Sequence, residues 1–155
     1  MASTVLAQTL LVTISESINL NGQQINSENT LAILSINAID KRIVAIPSTG
    51  ETTIIKFAAG VAAGTLVNTS VKYIRITNKD NTYYVRVRVT KVSGATFDVM
   101  VKPGQSHIMS SVKMSVSETG VAFAAFVDSD NISAQAETAS GSAGIDIEFF
   151  AASSN

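Results

Sequence analysis

Lys72-Tyr73-Ile74-Arg75-Ile76-Thr77, the polar run Asn78-Lys79-Asp80-Asn81, and then Tyr84-Val85-Arg86-Val87-Arg88-Val89 form the stretch on which the fold is read. In the first segment Ile74 and Ile76 alternate with Tyr73 and Arg75. In the second, Val85, Val87 and Val89 alternate with Arg86 and Arg88. Successive side chains of a strand point to opposite faces, so each segment reads as a strand with one apolar and one polar face. The short polar turn between them predicts a hairpin from Val71 to Val92, with valines and isoleucines inward and arginines outward.

The same period continues on both sides of this unit. Thr96 to Val101 sets Phe97, Val99 and Val101 on one side. Lys102-Pro103-Gly104-Gln105-Ser106 follows, with Pro and Gly suited to the centre of a type II turn. Towards the start, Val5 to Ile14 reads as a first strand. No basic residue precedes it and Gln8, Thr9 and Thr13 interrupt it, which does not match a signal peptide. Ser17-Ile18-Asn19-Leu20 then runs into Asn21-Gly22, the strongest short hairpin signal, and on to Gln23-Gln24-Ile25. Thr30–Ala38, Lys41–Ile46 and Thr52–Ala58 alternate in turn, with Pro47-Ser48-Thr49-Gly50 and the Ala/Gly run 59–64 as connections. Val112–Val116, Val121–Val127 and Ile145–Phe150 complete the set. Ser133–Ala139 is the one candidate helix, ended by Ser140-Gly141-Ser142-Ala143-Gly144, with a loop as the alternative.

Roughly ten short strands at this spacing predict an all-β, antiparallel β-sandwich or jelly-roll-like domain. A chain of 155 residues fits one domain over 1–155, with extended segments expected at 1–15 and 151–155. The sequence has no Cys, which removes thiolate metal sites, thiol nucleophiles and disulfides together. Eleven Lys and Arg against twelve Asp and Glu give a net charge of −1, which argues against a nucleic-acid partner. No run approaches the ~18 apolar residues of a membrane helix, so no membrane partner is expected. Charged residues are 15% of the chain, against about 25% in an ordinary soluble domain. That sparse charge suits a subunit that works inside an assembly.

Catalytic patterns are not found. His107 is the single histidine, and Ser106 beside it belongs to no nucleophile motif. Asp128-Ser129-Asp130-Asn131 begins like a calcium loop, but Ser133 and Ala139 stand where Gly and Glu are needed. Asp146 and Glu148 alternate with apolar residues and therefore share a strand face rather than form a catalytic pair. The glycines match neither phosphate-binding nor dinucleotide patterns. No catalytic, cofactor-binding or metal-binding residue is assigned, no cofactor is expected, and an enzyme is not expected.

Charge is nonetheless uneven along the chain. Lys72, Arg75, Lys79, Arg86, Arg88 and Lys91 fall in the 71–92 unit, with Asp80 the only acid among them. Beyond Lys113 there is no Lys or Arg, while Glu118, Asp128, Asp130, Glu137, Asp146 and Glu148 follow. One reading makes Lys72, Arg75, Arg86 and Arg88 a protein-interface face that meets an acidic neighbour. The other makes them a solvated face whose counter-charges come from the same fold. The spacing leaves both open.

The run Val71–Asn78, then Asp80, Thr82 and Tyr84–Val89, then Val99-Met100-Val101-Lys102-Pro103-Gly104-Gln105-Ser106 resembles small structural proteins of tailed bacteriophages, notably marine ones. In those, a strand ending in Thr-Asn leads through a short polar turn to a second strand, and a later strand ends in a Pro-Gly-x-Ser turn. The resemblance is confined to positions 71–106. It implies a virion protein, a capsid decoration or cement protein, with a tail or neck component as the nearest variant. Its implied partners are the major capsid protein or other virion proteins, and itself as a homo-oligomer such as a trimer. Assembly would take place in the host cytoplasm. A carbohydrate- or surface-binding module is the competing class. The absence of Trp and a count of three Tyr give it little to stack sugars on.

Overall fold

The computed structural model describes residues 5–115 and 125–154. Twelve strands are present among them: β1 (Gln8–Leu20), β2 (Gln23–Ile36), β3 (Ala38–Ile46), β4 (Thr52–Ala58), β5 (Thr65–Val67), β6 (Val71–Asn78), β7 (Val85–Lys91), β8 (Thr96–Val101), β9 (Ser106–Met109), β10 (Lys113–Met114), β11 (Val127–Ala136) and β12 (Ile145–Ser153). A single 3₁₀ segment, Thr138–Ala143, is the only helical element in the described chain. The all-β expectation holds.

Two sheets face each other. One has the order β3-β12-β6-β9; the other runs β5-β4-β11-β7-β8, with β10 attached to β11. All pairings are antiparallel except β4 with β5. From β3 onward the chain places every third strand in the four-stranded sheet and the two between in the other. The core lies between the sheets. Ile46, Ile74, Ile76, Ile147 and Phe149 from the first meet Ile55, Val85, Val87, Val89 and Ile132 from the second. Arg42 ties the layers at one margin: its guanidinium donates to the Ile54 carbonyl at 2.6 Å and lies over the Phe149 ring, 5.2 Å from its centre.

Three expectations are corrected. First, 71–92 is not a hairpin. β6 pairs with β12 and β9, and β7 pairs with β11 and β8, so the two strands lie in different sheets. Period-two alternation gives each strand a buried face but says nothing about its lateral partner. The connection is built to cross between the layers. The buried Asn78 amide donates to the Tyr83 and Val101 carbonyls, at 2.9 and 3.1 Å. Asp80 accepts from the backbone N–H groups of Thr82 and Tyr83, at 2.6 and 2.7 Å. That is an Asx turn at the corner.

Second, Ser133–Ala136 lies in β11, not in a helix. β11 runs between β4 and β7, paired on both sides, with Ile132, Ser133, Ala134 and Ala136 buried, and this central pairing overrides the helix propensity of Ala and Gln. Third, residues 151–153 are no extended tail. They complete β12, with Ala151, Ala152 and Ser153 buried. Gly144 opens that strand at φ 72°, and a Cβ there would lie 2.4 Å from the Ile46 carbonyl oxygen. Of the two strands expected around 112–127, the first is reduced to β10 with Val112 buried beside it, and most of Val121–Val127 lies outside the described residues.

Candidate interaction surface

The candidate interface residues divide between the two sheets. Lys72 and Arg75 are on β6; Arg86 and Arg88 are on β7. They do not form one basic face. Arg75 projects from the outer face of the four-stranded sheet, hydrogen-bonded to Glu148 and stacked 5.8 Å over the Phe150 ring. Arg88 grips Asp98 through two bonds of 2.7 and 2.8 Å and reaches Glu51 at 2.7 Å. Arg86 sits 3.8 Å from the same Asp98. The Arg88 guanidinium holds the Asp98 carboxyl below its ordinary pKa, and these carboxylates push Arg88 further up. Counter-charges therefore come from the fold itself, from Glu51, Asp98 and Glu148. Lys72 is half-buried and has no ion-pair partner among the described residues.

His107 lies on β9 opposite Ile76, turned toward the core margin. Burial lowers its pKa, and its Nε2 is buried without a hydrogen-bond partner. Among the described residues no carboxylate is bonded to it, and no His, Asp and Glu side chains converge as a metal site.

The larger surface feature is β1 and β2. Among the described residues they pair only with each other, in register from Leu10–Ile33 to Leu20–Gln23, and join neither sheet of the sandwich. Asn21 and Gly22 close the turn with φ of 51° and 81°, the left-handed pair that two-residue hairpin turns require. One face of this arm is polar. There Thr13 and Thr30 hydroxyls meet at 3.0 Å, and Ser17 donates to Asn26 at 2.8 Å. The other face is mostly apolar, carrying the pairs Leu10–Ile33, Val12–Leu31 and Ile18–Ile25, with Ile14 between them and Leu20 at the turn. Glu16 is its one charge.

The root of the arm is anchored. Leu10, Val12 and Ile33 pack on Tyr73, Phe150 and Ala152, on the outer face of the four-stranded sheet. Tyr73 and Phe150 meet edge to face with centres 6.0 Å apart, and burial raises the Tyr73 pKa, partly offset by Arg75. At the exit, Ser35 adopts a φ of 63° and the Asn37 N–H bonds the Ser153 carbonyl at 3.1 Å. A groove of about 370 Å³ remains between arm and sheet, lined by residues 10–14 with Arg75, Ser106 and Ile108.

Beyond the root the arm stands free. Its outer eight residues per strand extend roughly 25 Å at ~3.3 Å per residue. Ile14, Ile18, Leu20, Ile25 and Leu31 are 47–56% exposed along it. The sequence reading found the strands and the Asn-Gly turn but not the arm. The missed signal is length: strands of 13 and 14 residues, against a usual five or six, with no proline and only Glu16 and Glu28 charged. Fold and surface together define an all-β sandwich bearing an amphipathic hairpin arm. No protein-family model, curated protein or solved structure matches the chain.

Proposed function

We propose that this chain is a structural protein of a tailed-bacteriophage particle, acting as a capsid decoration or cement subunit through protein–protein contacts. The observation that carries the reading is the arm. A hairpin that leaves five large aliphatic side chains half in water is costly in an isolated monomer and useful in a lattice, where a neighbour covers them. Low overall charge and a sandwich whose ion pairs are satisfied internally favour the same role. The strand-and-turn pattern over 71–106 supplies the phage assignment.

The test is immunoelectron microscopy of gradient-purified particles with an antibody against this chain. Label over the heads is the expected result. Label confined to tails or necks would replace decoration by the tail variant. Particles free of label and of this polypeptide would overturn the reading.

A further inference from the structure

We infer that the free part of the arm docks on a second copy of this chain, on the outer face of β3. The inference rests on reading the chain as an assembly subunit and names what the arm binds. Along the apolar face of β1, Ile14, Glu16 and Ile18 follow one another at period two. On the outer face of β3, Ile39, Lys41 and Ile43 do the same. Both rows read aliphatic, charged, aliphatic, at one spacing and with opposite sign. The row is symmetric, so it matches in parallel or antiparallel orientation.

The β3 row is uncovered. The arm's own root occupies the neighbouring Tyr73, Phe150 and Ala152, while Ile39 and Ile43 are 61% and 66% exposed. The cations of that face crowd one carboxylate, while Asp146, on the same face of β12, forms no ion pair among the described residues. Lys41 and Arg75 share the single Glu148, with Lys41 at 3.7 Å. Glu16, for its part, forms no ion pair among the described residues, and residues 5–36 contain no Lys or Arg. Packing arm on arm would bring Glu16 against Glu16, which the apolar surroundings penalise. Packing arm on β3 instead gives Glu16 a cation and gives Lys41 a carboxylate that it does not share with Arg75.

Size agrees with this arrangement. With five large aliphatic side chains about half exposed, each arm offers roughly 400 Å² of apolar surface, and each copy both gives an arm and receives one. A reciprocal exchange therefore buries roughly 1,600 Å² in total, the range of stable assemblies. Sheets stacked face to face in this way sit about 10 Å apart, which leaves room for a Glu16–Lys41 bond at the centre of the contact.

The experiment is sedimentation equilibrium of the purified full chain and its charge variants, with circular dichroism to confirm folding. The wild type is expected to form a closed oligomer. Glu16→Lys and Lys41→Glu are each expected to weaken association about tenfold or more by placing like charges together. The double variant Glu16→Lys/Lys41→Glu is expected to recover most of it. Ile18→Asp and Ile43→Asp, both at exposed sites, should each dissociate the oligomer with the fold intact. A wild type that stays monomeric at its solubility limit would overturn the inference, whether or not it binds heads. So would association that responds to Ile18→Asp but not to Ile43→Asp or the charge pair, since the arm would then meet something other than β3. Head labelling and self-association are separate readouts, so either can fail alone.

Discussion

The Asn78 carboxamide donates to two carbonyls and its oxygen accepts from the Asp80 N–H at 2.9 Å, all without exposure to solvent. The amide ties the connection at Tyr83 and, across the layers, the Val101 carbonyl of β8, so an alanine there strands polar groups in a closed space. Asn78→Ala is expected to cost about 3 kcal/mol, a large share of the 5–15 kcal/mol that holds a domain of this size. Urea unfolding measures it: the midpoint should fall while the slope stays unchanged. A loss under about 1 kcal/mol would mean that the crossover is held by other groups. Asn78 ends the strand that sequence reading placed correctly. Its role was hidden because its partners, at positions 83 and 101, are fixed only once the two sheets come together.

Strands and faces were legible in the sequence because alternation and turn chemistry are local. Ile74, Ile76, Val85, Val87 and Val89 are buried as read. Pairing was not legible, because it depends on which distant strand arrives beside each one. The arginines show the same limit: Arg75 finds Glu148 across 73 positions, and Arg88 finds Glu51 across 37. Inside one sequence window those carboxylates are invisible, and the basic run looked uncompensated. The arm is the opposite case, built wholly from local pairing. Since Thr13 faces Thr30 in register, deleting 14–29 and joining the two through Asn-Gly should leave a shorter hairpin with the same root. No residue of the main core lies in the deleted part. The melting temperature is expected to move by no more than about 3 °C, as a change well under 1 kcal/mol implies. A larger drop in a thermal scan would make the outer arm part of the sandwich's own stability.

For the molecule as a whole, acid should destabilise in two steps. His107 is held below its ordinary 6.5 by burial, so between 6.5 and its native value the unfolded chain binds a proton that the native one does not. Stability is thus full above 6.5 and declines as pH falls through the native value. Asp98, held below 3.8 chiefly by its bond to Arg88, adds a second loss of the same sign as pH drops further. Urea midpoints across this range should fall with acidity, and His107→Gln should flatten the upper step alone. An unchanged upper step in that variant would assign it to another group. The arrangement of the four-stranded sheet has a temporal side as well. β12 lies between β3 and β6, although it is the last strand of the sandwich to leave the ribosome. Until Ile145–Ser153 emerges, β3 and β6 each hold an unsatisfied edge, and the nascent polypeptide carries two open templates for unwanted association. The hairpin of residues 8–36 makes its cross-strand pairs within one early segment and can begin to close while synthesis continues, its root finding Tyr73, Phe150 and Ala152 later. On the self-docking proposed above, a copy would carry its clasp before it had a finished body for another's clasp to grip, and assembly would wait until translation had passed β12.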